Sequence, residues 1–207
     1  MVRERSEAPT EGEAHEICFA DDAVLCFQYK EDADKVMEVL PKRFAKHGLT
    51  IHPEKTRLLE FGRYAEENAK RQGKKAATFD FLGFTYVCAR SRKGKFTVHV
   101  RTMKKRFRRG LKAIAEWCRE NRHKPVEEQQ KTLNAKLRGH YQYYGLPTNS
   151  RGIGKFYRGV CRIWRKWLNR RTRGKALTWE KFTKLLRRHP LLLPRLAHSW
   201  NGAESSV

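Results

Sequence analysis

The sequence predicts an α+β protein, a small antiparallel sheet with one helix followed by an α-helical region. Three observations across the 207 residues predict it. Near the start, "EICFADDAVLCF" sets two short apolar runs around Asp21 and Asp22, the pattern of a hairpin. Farther on, "FDFLGFTYV" and "KFTVHV" flank "SRKGK", a second hairpin signal with Gly94 at its turn. From Arg101 onward the apolar spacing becomes helical.

Taken in order, residues 1–16 lack periodicity and are expected to be an unstructured leader, with structure beginning at Ile17. Ile17, Phe19, Val24, Leu25 and Phe27 should bury both arms of the first hairpin. A helix follows through Ala33, Met37, Leu40 and Phe44, with acids early and bases late as the helix dipole prefers; Pro41 should kink it and Gly48 end it. "LTIHPEKTRLLEFG" reads as two short extended pieces interrupted by Pro53, and residues 62–77 as a loop. Three amphipathic helices come next. Their stripes are Phe107, Leu111, Ile114 and Cys118; then Leu133, Leu137, Tyr141 and Tyr144; then Phe156, Val160, Ile163, Trp164, Trp167 and Leu168. Pro125 and "GLPTNSRGIG" separate them, and a shorter helix spans Trp179 to His189 before "PLLLP".

Charge divides the chain. Residues 1–80 hold 14 Lys+Arg against 16 Asp+Glu, a net of −2, whereas residues 81–207 hold 32 against 6, a net of +26. Residues 151–188 alone carry 14 cations and one acid, Glu180. A field of one sign this dense repels itself, so a polyphosphate is its natural partner. The sequence contains no apolar run near the roughly 20 residues of a spanning helix and nothing resembling a signal peptide, which argues against membrane and secretion. The five cysteines (Cys18, Cys26, Cys88, Cys118, Cys161) are widely spaced without a CxxC pair, and read as reduced core residues of a cytoplasmic protein. The eight histidines stand at no zinc-ligand spacing.

Adjacent carboxylates at a hairpin tip have two readings. Asp-Asp is ordinary turn chemistry, bonding nearby backbone. On core-anchored strands the same pair is a perch for a hard cation, with one carboxylate aimed at it and the other supporting from the side. A third carboxylate would have to come from elsewhere in the structure.

"FADD" on a hairpin, "HGLTIHPEKT", "FDFLGF" and basic helices with "LNAKLRGHYQYYG", in that order, resemble the C-terminal half of a group II intron reverse transcriptase, or maturase. The resemblance covers residues 17 to about 200. It implies a partial reverse-transcriptase palm over 17–100 and a helical thumb/maturase RNA-binding domain over 101–200, with 201–207 a tail. Asp21 is then implied to be a catalytic Mg²⁺ ligand and Asp22 its neighbour in a two-metal site. Gly48, Leu49, Lys55 and Thr56 match the family's Gly-Leu and Lys-Thr segment, placing Lys55 near the leaving pyrophosphate. Phe81, Leu82, Gly83 and Phe84 correspond to the strand that steadies the primer end. Arg106, Arg108, Arg109, Arg158, Arg162, Arg165, Lys166, Arg170 and Arg171 are the implied RNA contacts. Phe19 stands where the family usually has tyrosine, which keeps the ring and loses a hydroxyl.

The family carries fingers and the first palm carboxylate ahead of this hairpin, and residues 1–16 offer no strand-like match for either. The implied partners are therefore intron RNA, an RNA/DNA primer-template and an N-terminal half supplied in trans; no membrane is among them. The implied function is that of an RNA-directed DNA polymerase fragment that binds intron RNA without polymerising alone. The alternative is a non-enzymatic RNA-binding splicing helper or a truncated remnant.

Overall fold

The computed structural model describes residues 11–171 and 176–198. It is mixed α and β, with six α-helices and two small antiparallel sheets among those residues, and the chain forms two compact units, Met1–Ala65 and Glu66–Val207. No helix among them is long and apolar enough to cross a membrane.

The first unit is built on a hairpin, β1 (Ala14–Phe19) and β2 (Asp22–Phe27), paired from Ala14 opposite Phe27 to Phe19 opposite Asp22. Structure begins earlier than Ile17, because the preceding residues have partners. The Gly12 N–H donates to the Asp32 carboxylate at 3.1 Å, that of Glu13 to Gln28 Oε1 at 3.1 Å, and Lys35 pairs with Glu11 at 3.3 Å. The expected leader is therefore ordered over at least residues 11–16; the tail at 201–207 lies outside the described residues.

Burial of the hairpin is where sequence and structure part. Ile17 and Phe19 remain 47% and 62% exposed, and Leu25 is exposed too. A two-stranded ribbon has two faces and two edges, and alternation in sequence cannot say whether anything covers them. Cys18 and Cys26 are exposed with it, not core residues, whereas Cys88, Cys118 and Cys161 are buried; all five thiols are free.

Helix α1 (Lys30–Ala45) runs through Pro41 and stops where glycine permits a left-handed turn. Gly48 has φ +70°, its N–H reaches the Ala45 carbonyl at 3.1 Å, and that of Leu49 reaches Phe44 at 3.0 Å. Those two bonds satisfy carbonyls the helix end leaves open. The two extended pieces expected over 49–62 do not form a sheet: the segment is irregular, with one turn at 53–55 after Pro53, which has no N–H to give a ladder. The loop expected over 62–77 contains a short helix, α2 (Ala65–Arg71), with Glu66 and Glu67 in its first turn and Lys70 and Arg71 in its last.

In the second unit, "FDFLGFTYV" is two strands instead of one. β3 (Thr78–Phe81) turns at Leu82–Gly83 into β4 (Phe84–Arg90), which pairs with β5 (Phe96–Thr102) through the expected turn at Gly94, φ +76°. The outer edge of β5 is closed by a short 3-10 turn at Pro147–Asn149. Thr148 Oγ1 accepts the Val100 N–H at 3.1 Å and donates to the Val100 carbonyl at 3.0 Å, and the buried Asn149 accepts the Thr102 N–H at 3.1 Å. That edge is thereby kept from pairing elsewhere, and the sheet lies in the same compact unit as the helices.

Those helices are α3 (Lys104–Glu120), α4 (Val126–Tyr144), α5 (Ser150–Asn169) and α6 (Trp179–Arg188). The three stripes predicted from spacing meet in one core: Ile114 and Cys118, Leu133, Leu137 and Tyr141, then Phe156, Val160, Trp164 and Leu168. Two buried polar groups fix its register. Trp164 Nε1 donates to Gln129 Oε1 at 3.0 Å, while the amide of Gln129 caps the Lys124 carbonyl at 2.8 Å. The "PLLLP" segment lies along α4, where Tyr141 donates to the Leu192 carbonyl and Asn134 brackets Pro190 and Leu192.

His140 stacks on Phe156 with centroids 3.6 Å apart, its buried Nε2 without a hydrogen-bond partner, and burial pushes its pKa down to about 4. The folded state thus keeps the ring neutral while the unfolded chain takes up a proton below about pH 6.5. Stability should fall as pH drops from about 6.5 towards 4, at most about 1.4 kcal/mol per pH unit for one proton. Thermal melts of the native chain and His140→Phe at pH 7 and pH 5 check this: the substitution should flatten the loss.

Candidate functional site

The first hairpin carries its carboxylates at the tip. Phe19 pairs with Asp22, so Ala20 and Asp21 form a two-residue turn, and Ala20 has φ +53°. A positive φ at the first central residue is the geometry that matches the twist of the two strands. An L-residue there costs about 1–2 kcal/mol, held in place by the six-residue ladder behind it. Asp21 and Asp22 are both exposed, one in the turn and the other at the first position of β2. Lys55 belongs to the same unit, exposed on the turn after Pro53, where the N–H groups of Lys55 and Thr56 both reach the His52 carbonyl.

The chemistry available to this tip is limited by ligand number. Among the described residues no group of three or more His, Cys, Asp or Glu could hold a metal ion. Of the acids ahead of the tip, Glu16 accepts from the Cys18 thiol and Glu11 pairs with Lys35. Two carboxylates from one hairpin do not fit a two-metal centre, which needs oxygen ligands on both sides of the ion pair.

In the second unit, Leu82 and Gly83 form the β3–β4 turn, with φ +49° and +77°. Both positive values suit a two-residue hairpin turn, in which asparagine is usual where Leu82 stands. The turn is fastened at both central carbonyls. Tyr143 Oη donates to Leu82 at 2.8 Å, and the Met103 N–H donates to Gly83 at 3.0 Å. A side chain at Gly83 would lie 3.3 Å from Tyr144 Oη and 3.8 Å from the Arg106 stem. Burial raises the Tyr144 phenol above its ordinary range, as does neighbouring Tyr143, against the lowering effect of Arg106 and Arg109. Of the segment read as a strand, Phe81 ends β3 and Phe84 begins β4, and Leu82–Gly83 between them is a strained turn bonded to Tyr143. Sequence reasoning missed Tyr143, because it lies off the apolar stripe of α4; an aromatic on a helix's polar side was the available signal.

The cations divide by role. On α3, Arg106, Arg108 and Arg109 are exposed. On α5 and its capping residue, Arg151, Lys155, Arg158, Arg162, Lys166 and Arg170 recur every three or four residues on one exposed stripe, and the helix contains no acid to offset them. Arg170 stands over the Trp167 ring at 4.8 Å. Arg165 is different: it is half-buried, donates to the Leu177 carbonyl at 2.8 Å and stacks on Trp179 at 4.2 Å, tying α5 to the start of α6. Arg171 donates to the Lys124 carbonyl at 3.0 Å. Arg173 lies outside the described residues.

Hairpin, lysine turn and Leu-Gly turn follow one another within a single stretch of chain. Residues 2–86 match the reverse transcriptase (RNA-dependent DNA polymerase) family. The match takes in Asp21, Asp22, Lys55 and Phe81 to Gly83, and it starts within the segment read from sequence as a leader. The matched segment ends inside β4, so the basic helices lie beyond it. Comparison with curated proteins finds no match.

Proposed function

We propose that this chain is the C-terminal part of a group II intron reverse transcriptase/maturase, which binds intron RNA and an RNA/DNA primer-template. One observation carries the reading: a segment matching reverse transcriptases, with Asp21–Asp22 at a hairpin tip, is followed after β4 and β5 by helices whose exposed faces carry lysine and arginine. In this reading the α3 and α5 stripes neutralise RNA phosphates, Arg165 and Arg171 shape the α5–α6 region, and the Leu82–Gly83 turn receives the primer end. Asp21 and Asp22 are the Mg²⁺ ligands this chain contributes, with Lys55 beside the departing pyrophosphate. The remaining ligands in this reading come from a reverse-transcriptase N-terminal half, on the same polypeptide or on a separate one. Such a half would cover the apolar side chains that the first unit leaves exposed, Ile17, Phe19, Leu25, Val39 and Leu49 among them. Free thiols throughout suit a reducing cytoplasm.

The finer part of the proposal, the intron, is tested by competition. In filter binding at 150 mM salt, a group II intron RNA should be held at least about tenfold more tightly than an unrelated RNA of equal length, since non-specific phosphate contacts are the same for both. Equal affinity for the two would leave a general RNA-binding protein.

A further inference from the structure

We infer that Tyr143 is a positioning residue for the Leu82–Gly83 turn, keeping it in the shape that receives a primer 3′ end; this rests on the reading of that turn proposed above. The turn is the point where three elements meet. Its Leu82 carbonyl is held from the end of α4 by Tyr143 and its Gly83 carbonyl from the residue before α3 by Met103. Leu82 sits in a left-handed conformation that a branched side chain rarely keeps, and such residues persist where the surroundings over-determine them. The Tyr143 ring does little as core: it is 52% exposed, stacked on Phe84 with centroids 5.5 Å apart and planes within 10°. Its hydroxyl reaches 61 residues back to a backbone oxygen, so the fixed quantity is the orientation of the Leu82 peptide. The aliphatic stem of Arg106 also lies beside Gly83. Without the Tyr143 hydroxyl the Leu82 carbonyl is released to water, the fold is kept, and the turn samples other peptide orientations.

The test uses the full 207-residue chain and two RNA/DNA duplexes with the same number of phosphates, one with a recessed DNA 3′ end and one blunt. Fluorescence anisotropy of the native chain should show a preference for the recessed end. Tyr143→Phe, which keeps the ring and its stacking, should lower that preference roughly fivefold, the value of one hydrogen bond. Affinity for the blunt duplex and the melting temperature should stay unchanged. A native preference fully retained in Tyr143→Phe overturns this inference alone. A native chain without any preference overturns the end-binding reading of the turn and this inference with it. A loss in Tyr143→Phe that tracks a lowered melting temperature shows a structural residue only and likewise overturns it.

Discussion

RNA binding by this chain should weaken by about 10³ to 10⁵ between 50 and 200 mM salt, the response of a surface that neutralises about 6 to 10 phosphates. The excess of charge that drives it lies wholly after residue 80. On α5 the stripe from Arg151 to Arg170 sets a cation about every 5–6 Å along the helix axis. Arg158→Ala with Arg162→Ala removes two exposed members and should lower the slope of log affinity against log salt by about 1.4 to 1.8. Arg165→Ala is a poorer probe, because its guanidinium bonds Leu177 and stacks on Trp179; its loss would act on the α5–α6 connection as well as on charge. Asp21→Asn with Asp22→Asn should leave binding nearly unchanged, since those carboxylates belong to the other compact unit. Filter binding across a salt series reads all three variants. A flat salt response would end the polyanion argument, and equal losses in the arginine and aspartate variants would end the separation of binding from the acidic tip.

How much of this was legible beforehand depended on where the determining contacts lie in sequence. The helical core could be read because each stripe is local: Leu133, Leu137 and Tyr141 share a face whatever packs on them, and that face was the buried one. The hairpin at "FADD" was legible for the same reason, with strand pairing following from alternation about a short turn. Its exposure was not, since burial depends on what lies over the ribbon. The Leu82–Gly83 turn was hidden because Leu-Gly carries weak turn chemistry by itself. Its left-handed leucine is sustained by Met103 and Tyr143, tens of residues away. Arg165 was hidden by its neighbours: a run of arginines reads as a solvated face, and only the return of Leu177 and Trp179 across α5 singles one out. Helix α2 was short and polar, but Glu66 and Glu67 ahead of Lys70 and Arg71 were a usable signal.

Primer extension by the purified chain should be undetectable, and the reason is ligand counting. Two-metal phosphoryl transfer holds its ions about 3.5–4 Å apart between carboxylates that approach from different sides. Asp21 and Asp22 are neighbours on a single hairpin tip, and among the described residues no third group joins them at a metal site. An exposed pair of this kind should bind Mg²⁺ weakly and leave a nucleotide without the positioning on which such transfer depends. Supplying a reverse-transcriptase N-terminal half in trans should restore extension to the extent that its strands pair with the palm sheet and cover Ile17 and Phe19. The restored activity should vanish with Asp21→Asn, which keeps the turn and removes the charge. Cys18→Ser should leave most of it, because that thiol is an exposed strand residue whose bond is to Glu16. The gel that reads extended primer separates the cases. Extension by the 207-residue chain alone, lost on Asp21→Asn, would mean that the tip completes its metal site from within this chain, and the half-site account would fall.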